Sequence, residues 1–142
     1  MSDQKYGTDA IAQAELEAWP NPSPERDYVV RMECPEFTCL CPRSGFPDFA
    51  TIVVDYIPSA SVVELKSLKL YLNGFRDRGI SHEAVTNQIL EDLLAVLEPT
   101  YLRVTGEFKV RGNIKTVVTC EHRAEWFTGT TPRYTRPRYT GL

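Results

Sequence analysis

Leu102-Arg103-Val104-Thr105-Gly106-Glu107-Phe108-Lys109-Val110-Arg111-Gly112-Asn113-Ile114 is the run on which the fold turns. Leu102, Val104, Phe108 and Val110 alternate with Arg103, Thr105, Glu107 and Lys109, the two-residue period of a strand with one apolar face. Arg111-Gly112-Asn113 reads as a hairpin turn, and beyond it Ile114, Val118, Cys120 and Ala124 alternate with Lys115, Thr119, Glu121 and Arg123. Before this hairpin the period changes. Ser81 is an acceptable helix N-cap, and Val85, Ile89, Leu93 and Leu97 carry a helix to Pro99. Leu65, Leu68, Leu72 and Phe75 predict an earlier helix, from Leu65 to about Arg78, stopped by Gly79. Lys66, Lys69, Asn73 and Arg76 form a second stripe beside the apolar one.

Further back, Phe49 to Ile57 is rich in β-branched residues and ends at Pro58, which marks a strand. Tyr28, Val30 and Met32 oppose Arg31 and Glu33 in a strand before it. The order is therefore strand–strand–helix–helix–strand–strand. Segregated blocks imply an α+β fold, an antiparallel four-stranded sheet with both helices on one face. Two open edges are a liability, and four strands are too few to close on themselves. The expected remedy is a homo-oligomer whose subunits complete a barrel together.

Residues 1–25 form an N-terminal arm, with a short helix expected from Ala10 to Ala18 before the proline-rich run Trp19 to Pro24. Residues 26–127 make the folded domain, and residues 128–142 an irregular tail. At 142 residues, one domain with a real core is expected. A net charge of −3 speaks against a general nucleic-acid or membrane-surface binder. No apolar run approaches the roughly 20 residues of a membrane span. The polar, acidic start lacks a signal-peptide core, so a cytoplasmic location with reduced thiols is expected.

The chemistry gathers in Glu36 to Ala50. Cys41 stands beside Pro42 at the mouth of a loop, and Asp48 where the loop re-enters an apolar strand. Ser44, Gly45 and Pro47 between them are turn formers. Strand-held loops expose reactive groups while fixing them, although a small core thiol and a strand-end Asp fit the same letters. Cys34, Cys39 and Cys41 do not have the paired spacing of zinc ligands, and no matching second pair follows, so no metal site is assigned. No Gly-x-Gly-x-x-Gly run precedes a helix, so no Rossmann cofactor site is expected.

Leu40-Cys41-Pro42, Pro47-Asp48-Phe49-Ala50, the Glu64-x-Lys66-Ser67-x-Lys69-x-Tyr71 run and His82-Glu83 occur in one order and spacing. Together they resemble the NADPH-dependent 7-cyano-7-deazaguanine reductases, the nitrile reductases of queuosine biosynthesis, in their short single-domain form. The resemblance spans roughly residues 26 to 126. It implies a tunnelling fold, in which several subunits share a barrel and active sites lie at their interfaces. It implies reduction of a nitrile to an aminomethyl group by two NADPH, through a cysteine thioimide. By the same resemblance Cys41 is the nucleophile and Asp48 the acid, and His82 touches the substrate and relays protons. Glu83 accepts hydrogen bonds from the donor edge of the deazaguanine, and Val63, Glu64 and Leu65 line its pocket. Lys66, Lys69 and Arg111 hold the phosphates of NADPH. The partners implied are the small nitrile and further copies of the chain, with no direct nucleic acid and no membrane.

Asp48 close to Cys41 is expected to raise both pKa values by like-charge repulsion, so that the pair shares one proton. Cys39 is a rival nucleophile, but no proline follows it. Asn113 departs from the second glycine usual after Arg-Gly in this family, although Asn tolerates the left-handed backbone such a turn uses. Two other readings stand beside the leading one. A cyclohydrolase-like tunnelling-fold enzyme would need a zinc cage, for which only His82 and His122 supply imidazoles. A non-catalytic purine-binding module would be expected to have lost the thiol–carboxylate pair.

Overall fold

The computed structural model describes residues 5–139; the first four residues of the arm and the last three of the tail lie outside the described residues. In chain order the elements are α1 (Tyr6–Ala12), β1 (Ala18–Pro20), β2 (Val30–Leu40), β3 (Pro47–Ile57), β4 (Ser61–Val63), α2 (Leu65–Asn73), α3 (His82–Leu97), β5 (Tyr101–Phe108) and β6 (Val117–Arg123). Strands β2-β3-β5-β6 form one antiparallel sheet in that spatial order. One side of it, with Ala50, Ile52, Val54 and Tyr56 from β3 and Leu102, Val104 and Phe108 from β5, meets apolar residues of both α2 and α3. Residues of both strands are buried there because side chains two apart share a sheet face. The α+β arrangement read from the sequence therefore stands. Strands β2 and β6 are the two edges of the sheet.

Four departures from the expected elements bear on the site. First, β2 runs on past the Tyr28 to Glu33 stretch that marks it in the sequence, through Pro35 to Leu40. A bulge between Cys34 and Phe37 absorbs the proline, after which pairing resumes with Phe37 opposite Ala50 and Cys39 opposite Asp48. A bulge on an edge strand tolerates a residue without an N–H. Asp48 thus lies inside β3 rather than in the connection, which shrinks to residues 41–46. Second, α2 ends at Asn73, not near Arg78, and Gly74 caps it. The chain then turns so that Leu40 donates to Arg78 O at 3.0 Å and accepts from Ile80 N–H at 3.0 Å. That bridge pins the end of β2.

Third, the arm's helix is Tyr6–Ala12 rather than Ala10–Ala18. Ala18–Pro20 pair instead with Ser61–Val63, and Glu17 N–H donates to Ser67 Oγ at 3.0 Å. Fourth, the polar face of β5 is not solvated, since all eight of its residues are buried. Asp55 joins Arg31 and Arg103 at 3.0 Å each. The tail lies over them. Arg103 donates to Pro132 O at 2.6 Å, Tyr134 OH to Glu107 at 2.6 Å, and Arg31 to Thr135. Buried charges survive only when paired and hydrogen-bonded, and the tail supplies part of that pairing.

Candidate active site

The six residues from Cys41 to Phe46 close on themselves. Cys41 N–H donates to Phe46 O at 2.8 Å, and Gly45 N–H returns to Cys41 O at 2.9 Å. Gly45 takes φ 77°, a left-handed value that a side chain would oppose. The surroundings of the Cys41 sulfur are set by Ser44 first, through its side chain and its backbone, then by the Arg111 side chain and the Arg43 backbone. These groups, Ser44 first among them, lower its pKa to about 6, outweighing a small desolvation in the opposite sense. The expectation that Asp48 would raise the Cys41 pKa is therefore overturned. Arg111 bonds Asp48, and its positive charge offsets the repulsion that the carboxylate would exert on a thiolate at Cys41.

Cys39, two residues earlier, is fully buried. Burial, with smaller contributions from the charges of Asp48 and Cys41, pushes its thiol up to about 11. Its sulfur faces Ile80 O at 3.9 Å and belongs to the core.

Asp48 is 5% exposed, and its two oxygens have different partners. Oδ2 lies 3.1 Å from His82 Nε2, and Oδ1 accepts from Arg111. His82 is delivered by the first turn of α3, whose N-cap Ser81 accepts from Ala84 N–H at 3.1 Å. Its ring stacks on Phe108, with centroids 3.8 Å apart and planes within 11°. Phe108 can lie flat there because residue 106 is glycine. A Cβ at that position would meet the Phe108 ring and Thr86 Oγ1 at 2.8 Å each.

Asp48, Phe49, His82, Phe108 and Arg111 line a cavity of about 230 Å³. That is below the roughly 300–1,000 Å³ usual for a small-molecule site.

The remaining residues singled out in the sequence lie elsewhere. Val63 is buried, and its N–H donates to Tyr56 OH at 3.0 Å. Glu64 caps α2, accepting from Lys66 N–H at 2.6 Å and Ser67 N–H at 2.9 Å. Leu65 is 64% exposed and, with Lys69, lines a separate groove of about 600 Å³ between α2 and the bulged stretch of β2. Lys66 and Lys69 are exposed, and neither forms an ion pair among the described residues. Glu83 is exposed at the start of α3. One chain thus brings together Asp48, His82 and Arg111 beside the Cys41 turn, leaves Leu65 and Lys69 on another cavity, and puts Val63, Glu64 and Lys66 on neither. Arg111 joins the thiol and carboxylate rather than the two lysines.

Two residues of the cluster were not singled out in the sequence. Ser44 reads there only as a turn former, and its signal is a hydroxyl three residues after a thiol in a turn. Phe108 reads as one more apolar strand position, and nothing local marks it as a platform for an imidazole. Among the described residues no group of three or more His, Cys, Asp or Glu side chains is arranged to hold a metal ion.

Comparison with known proteins places this geometry in context. A family model described as QueF-like protein matches residues 47–126. The NADPH-dependent 7-cyano-7-deazaguanine reductase of Aquifex aeolicus is 61% identical over 116 residues, covering 82% of this chain and 90% of that protein. The protein of the same name from Thermosynechococcus vestitus is 52% identical over 125 residues, 88% of this chain and 95% of its own. Among solved structures, the archaeosine synthase QueF-Like in its apo form superposes with a TM-score of 0.62 at 28% identity. The match covers 66% of this chain and 91% of that one.

Proposed function

The chain belongs to the QueF-like family, and from that premise we propose that it reduces the nitrile of 7-cyano-7-deazaguanine to the 7-aminomethyl group, at the expense of two NADPH, in queuosine biosynthesis. The observation that carries this reading is Asp48 held between His82 and Arg111 beside the turn that opens with Cys41.

Cys41 Sγ attacks the nitrile carbon, the C–S bond forms as one C–N π pair moves to nitrogen, and the nitrogen takes a proton. The product is a thioimide, a better electrophile than the nitrile. The proton comes from the Asp48–His82 pair, whose 3.1 Å separation lets one proton be shared and delivered. One hydride to the thioimide carbon and a second proton from the same pair give a thiohemiaminal. Its nitrogen lone pair then expels Cys41 Sγ as thiolate to leave a protonated imine, which the second hydride reduces to the amine. NADPH supplies two hydrides in all. Its phosphates suit the exposed ammonium groups of Lys66 and Lys69, which form no ion pair among the described residues, and the exposed part of the Arg111 guanidinium, which Asp48 holds at one nitrogen. Glu83, exposed and acceptor-only when ionised, takes the ring N–H and amine of the deazaguanine. Val63, Glu64 and Leu65 form the opposite wall, with Glu64 keeping its helix-capping bonds.

Residues 26–127 are the catalytic unit in this reading. The tunnelling-fold-like sheet has two open edges, and the site residues fall on two cavities. Both facts fit a homo-oligomer in which the 230 Å³ cavity of one subunit is completed by a neighbour's α2 region. A cytoplasmic enzyme is in keeping with four free thiols, and no helix among the described residues is long and apolar enough to cross a membrane.

The direct test is stoichiometry. Incubation with 7-cyano-7-deazaguanine should oxidise two NADPH for each 7-aminomethyl product identified by mass. Oxidation of NADPH without that product, or no oxidation by folded enzyme, contradicts the assignment.

A further inference from the structure

Asp48 fixes His82 at a point, not in a plane. A contact of 3.1 Å between Nε2 and Oδ2 leaves the imidazole free to turn about the line joining the two atoms, and its side chain is 23% exposed. The plane is set from the sheet. Phe108 lies within 11° of parallel to the imidazole, with centroids 3.8 Å apart, so its face blocks that rotation. Phe108 is itself firmly held. It is 1% exposed and stands opposite Ala50 of β3. Its N–H donates to Thr116 O at 3.0 Å, and its carbonyl accepts from Lys115 Nζ at 2.8 Å. On the helix side, Thr86 Oγ1 donates to His82 O at 2.8 Å and ties the backbone of the same residue. Gly106 is where the two holds meet, since a Cβ there would strike both the Phe108 ring and Thr86 Oγ1.

We propose that Phe108 is a positioning residue for His82: its ring face keeps the imidazole in the plane that puts Nε2 on Asp48, at the wall of the cavity these three residues line. A hydrocarbon ring suits the task because it claims neither imidazole nitrogen, so both stay available as a proton comes and goes. The Phe108 side chain is almost wholly buried, so its effect passes through His82 rather than through contact with the nitrile compound. The inference rests on the reading in which the Asp48–His82 pair supplies protons. An imidazole out of its plane delivers them slowly, since a misplacement of about 1 Å can cost on the order of 10²-fold in rate.

The test compares wild type with Phe108→Leu and Phe108→Tyr in the full chain. The protein has 2 histidines, and the exposed His122 on β6 serves as an internal reference. Carbethoxylation of each by diethyl pyrocarbonate is followed by peptide mass mapping, without nitrile or NADPH, and kcat and KM for the nitrile are then measured. Phe108→Leu, which removes the flat face, should label His82 several-fold faster relative to His122. It should also lower kcat about ten-fold while leaving KM for the nitrile little changed. Phe108→Tyr, which keeps the face, should stay near wild type in both. Should Phe108→Leu fail to fold by circular dichroism, Phe108→Met also lacks the ring and takes its place. Either readout at its wild-type level in the ringless variant overturns the proposal. So does a loss confined to KM, or a Phe108→Tyr enzyme as impaired as Phe108→Leu. A wild type in which Phe108 shields His82 but the nitrile is never reduced would instead defeat the functional reading and leave the hold of Phe108 on His82 intact.

Discussion

Cys39 and Cys41 are separated by one residue, yet the fold gives them opposite chemistry. Cys39 is the last core position of β2, shut off from solvent, and its thiol is pushed up to about 11. Cys41 is the first residue past the strand, where the backbone curls back and offers N–H groups, a hydroxyl and a guanidinium, and its thiol falls to about 6. Both side chains are alike; what differs is whether the backbone around them is spent on a ladder or free to donate. A strand end is thus a place where a reactive thiolate can be made next to a packed core.

The largest expected effect separates the two thiols outright. Cys41→Ala should lower turnover to background in an NADPH oxidation assay, while Cys39→Ala keeps turnover within a few-fold. Cys39→Ala should instead cost on the order of 1 kcal/mol in urea unfolding, as for a small core truncation. Next in size, Asp48→Asn should bind the nitrile compound with near-normal affinity by calorimetry but lose about 10²-fold in rate, since it removes the proton partner of His82.

The pH dependence of stability should have opposite signs at the two positions. Cys41 has a folded value lowered from 9.0 to about 6, so its contribution is full above 9 and is lost as pH falls through 6. Cys39 has a folded value raised from 9.0 to about 11, so its contribution is full below 9 and is lost as pH rises toward 11. Unfolding curves of wild type against each alanine variant, taken from pH 6 to 10, measure both slopes. A common sign would break the comparison. The smallest effect is expected at the exposed lysines, where Lys66→Ala and Lys69→Ala should each raise the KM for NADPH several-fold and leave kcat little changed.

Much of this was legible because it is local. Alternation in residues 50–57 and 102–108 shows which side chains share a face, and the spacing of Val85, Ile89, Leu93 and Leu97 shows the apolar side of α3. The grouping of Cys41, Asp48 and His82 entered through the family resemblance rather than through any local pattern, and that resemblance put Arg111 with Lys66 and Lys69 instead of beside Asp48. What escaped depends on distant pairing. The alternation that marks β2 ends at Glu33, and only its pairing with β3 shows the strand running on through a bulge at Pro35 to Leu40. Arg103 and Glu107 read only as the polar side of a strand, and the cover that Pro132 and Tyr134 of the tail give them has no local signal. The Cys41 thiol reads as raised by Asp48 until Arg111, 63 residues along the chain from that carboxylate, is found between them.

The most direct measurement of the central claim is peptide-mapped mass spectrometry of enzyme mixed with 7-cyano-7-deazaguanine in the absence of NADPH. Addition to the nitrile expels no group, so the expected result is a mass increase equal to the whole nitrile compound, confined to the peptide position of Cys41 and released as the aminomethyl product once NADPH is added. An adduct on Cys39, or full turnover by enzyme that never carries the adduct, would contradict it.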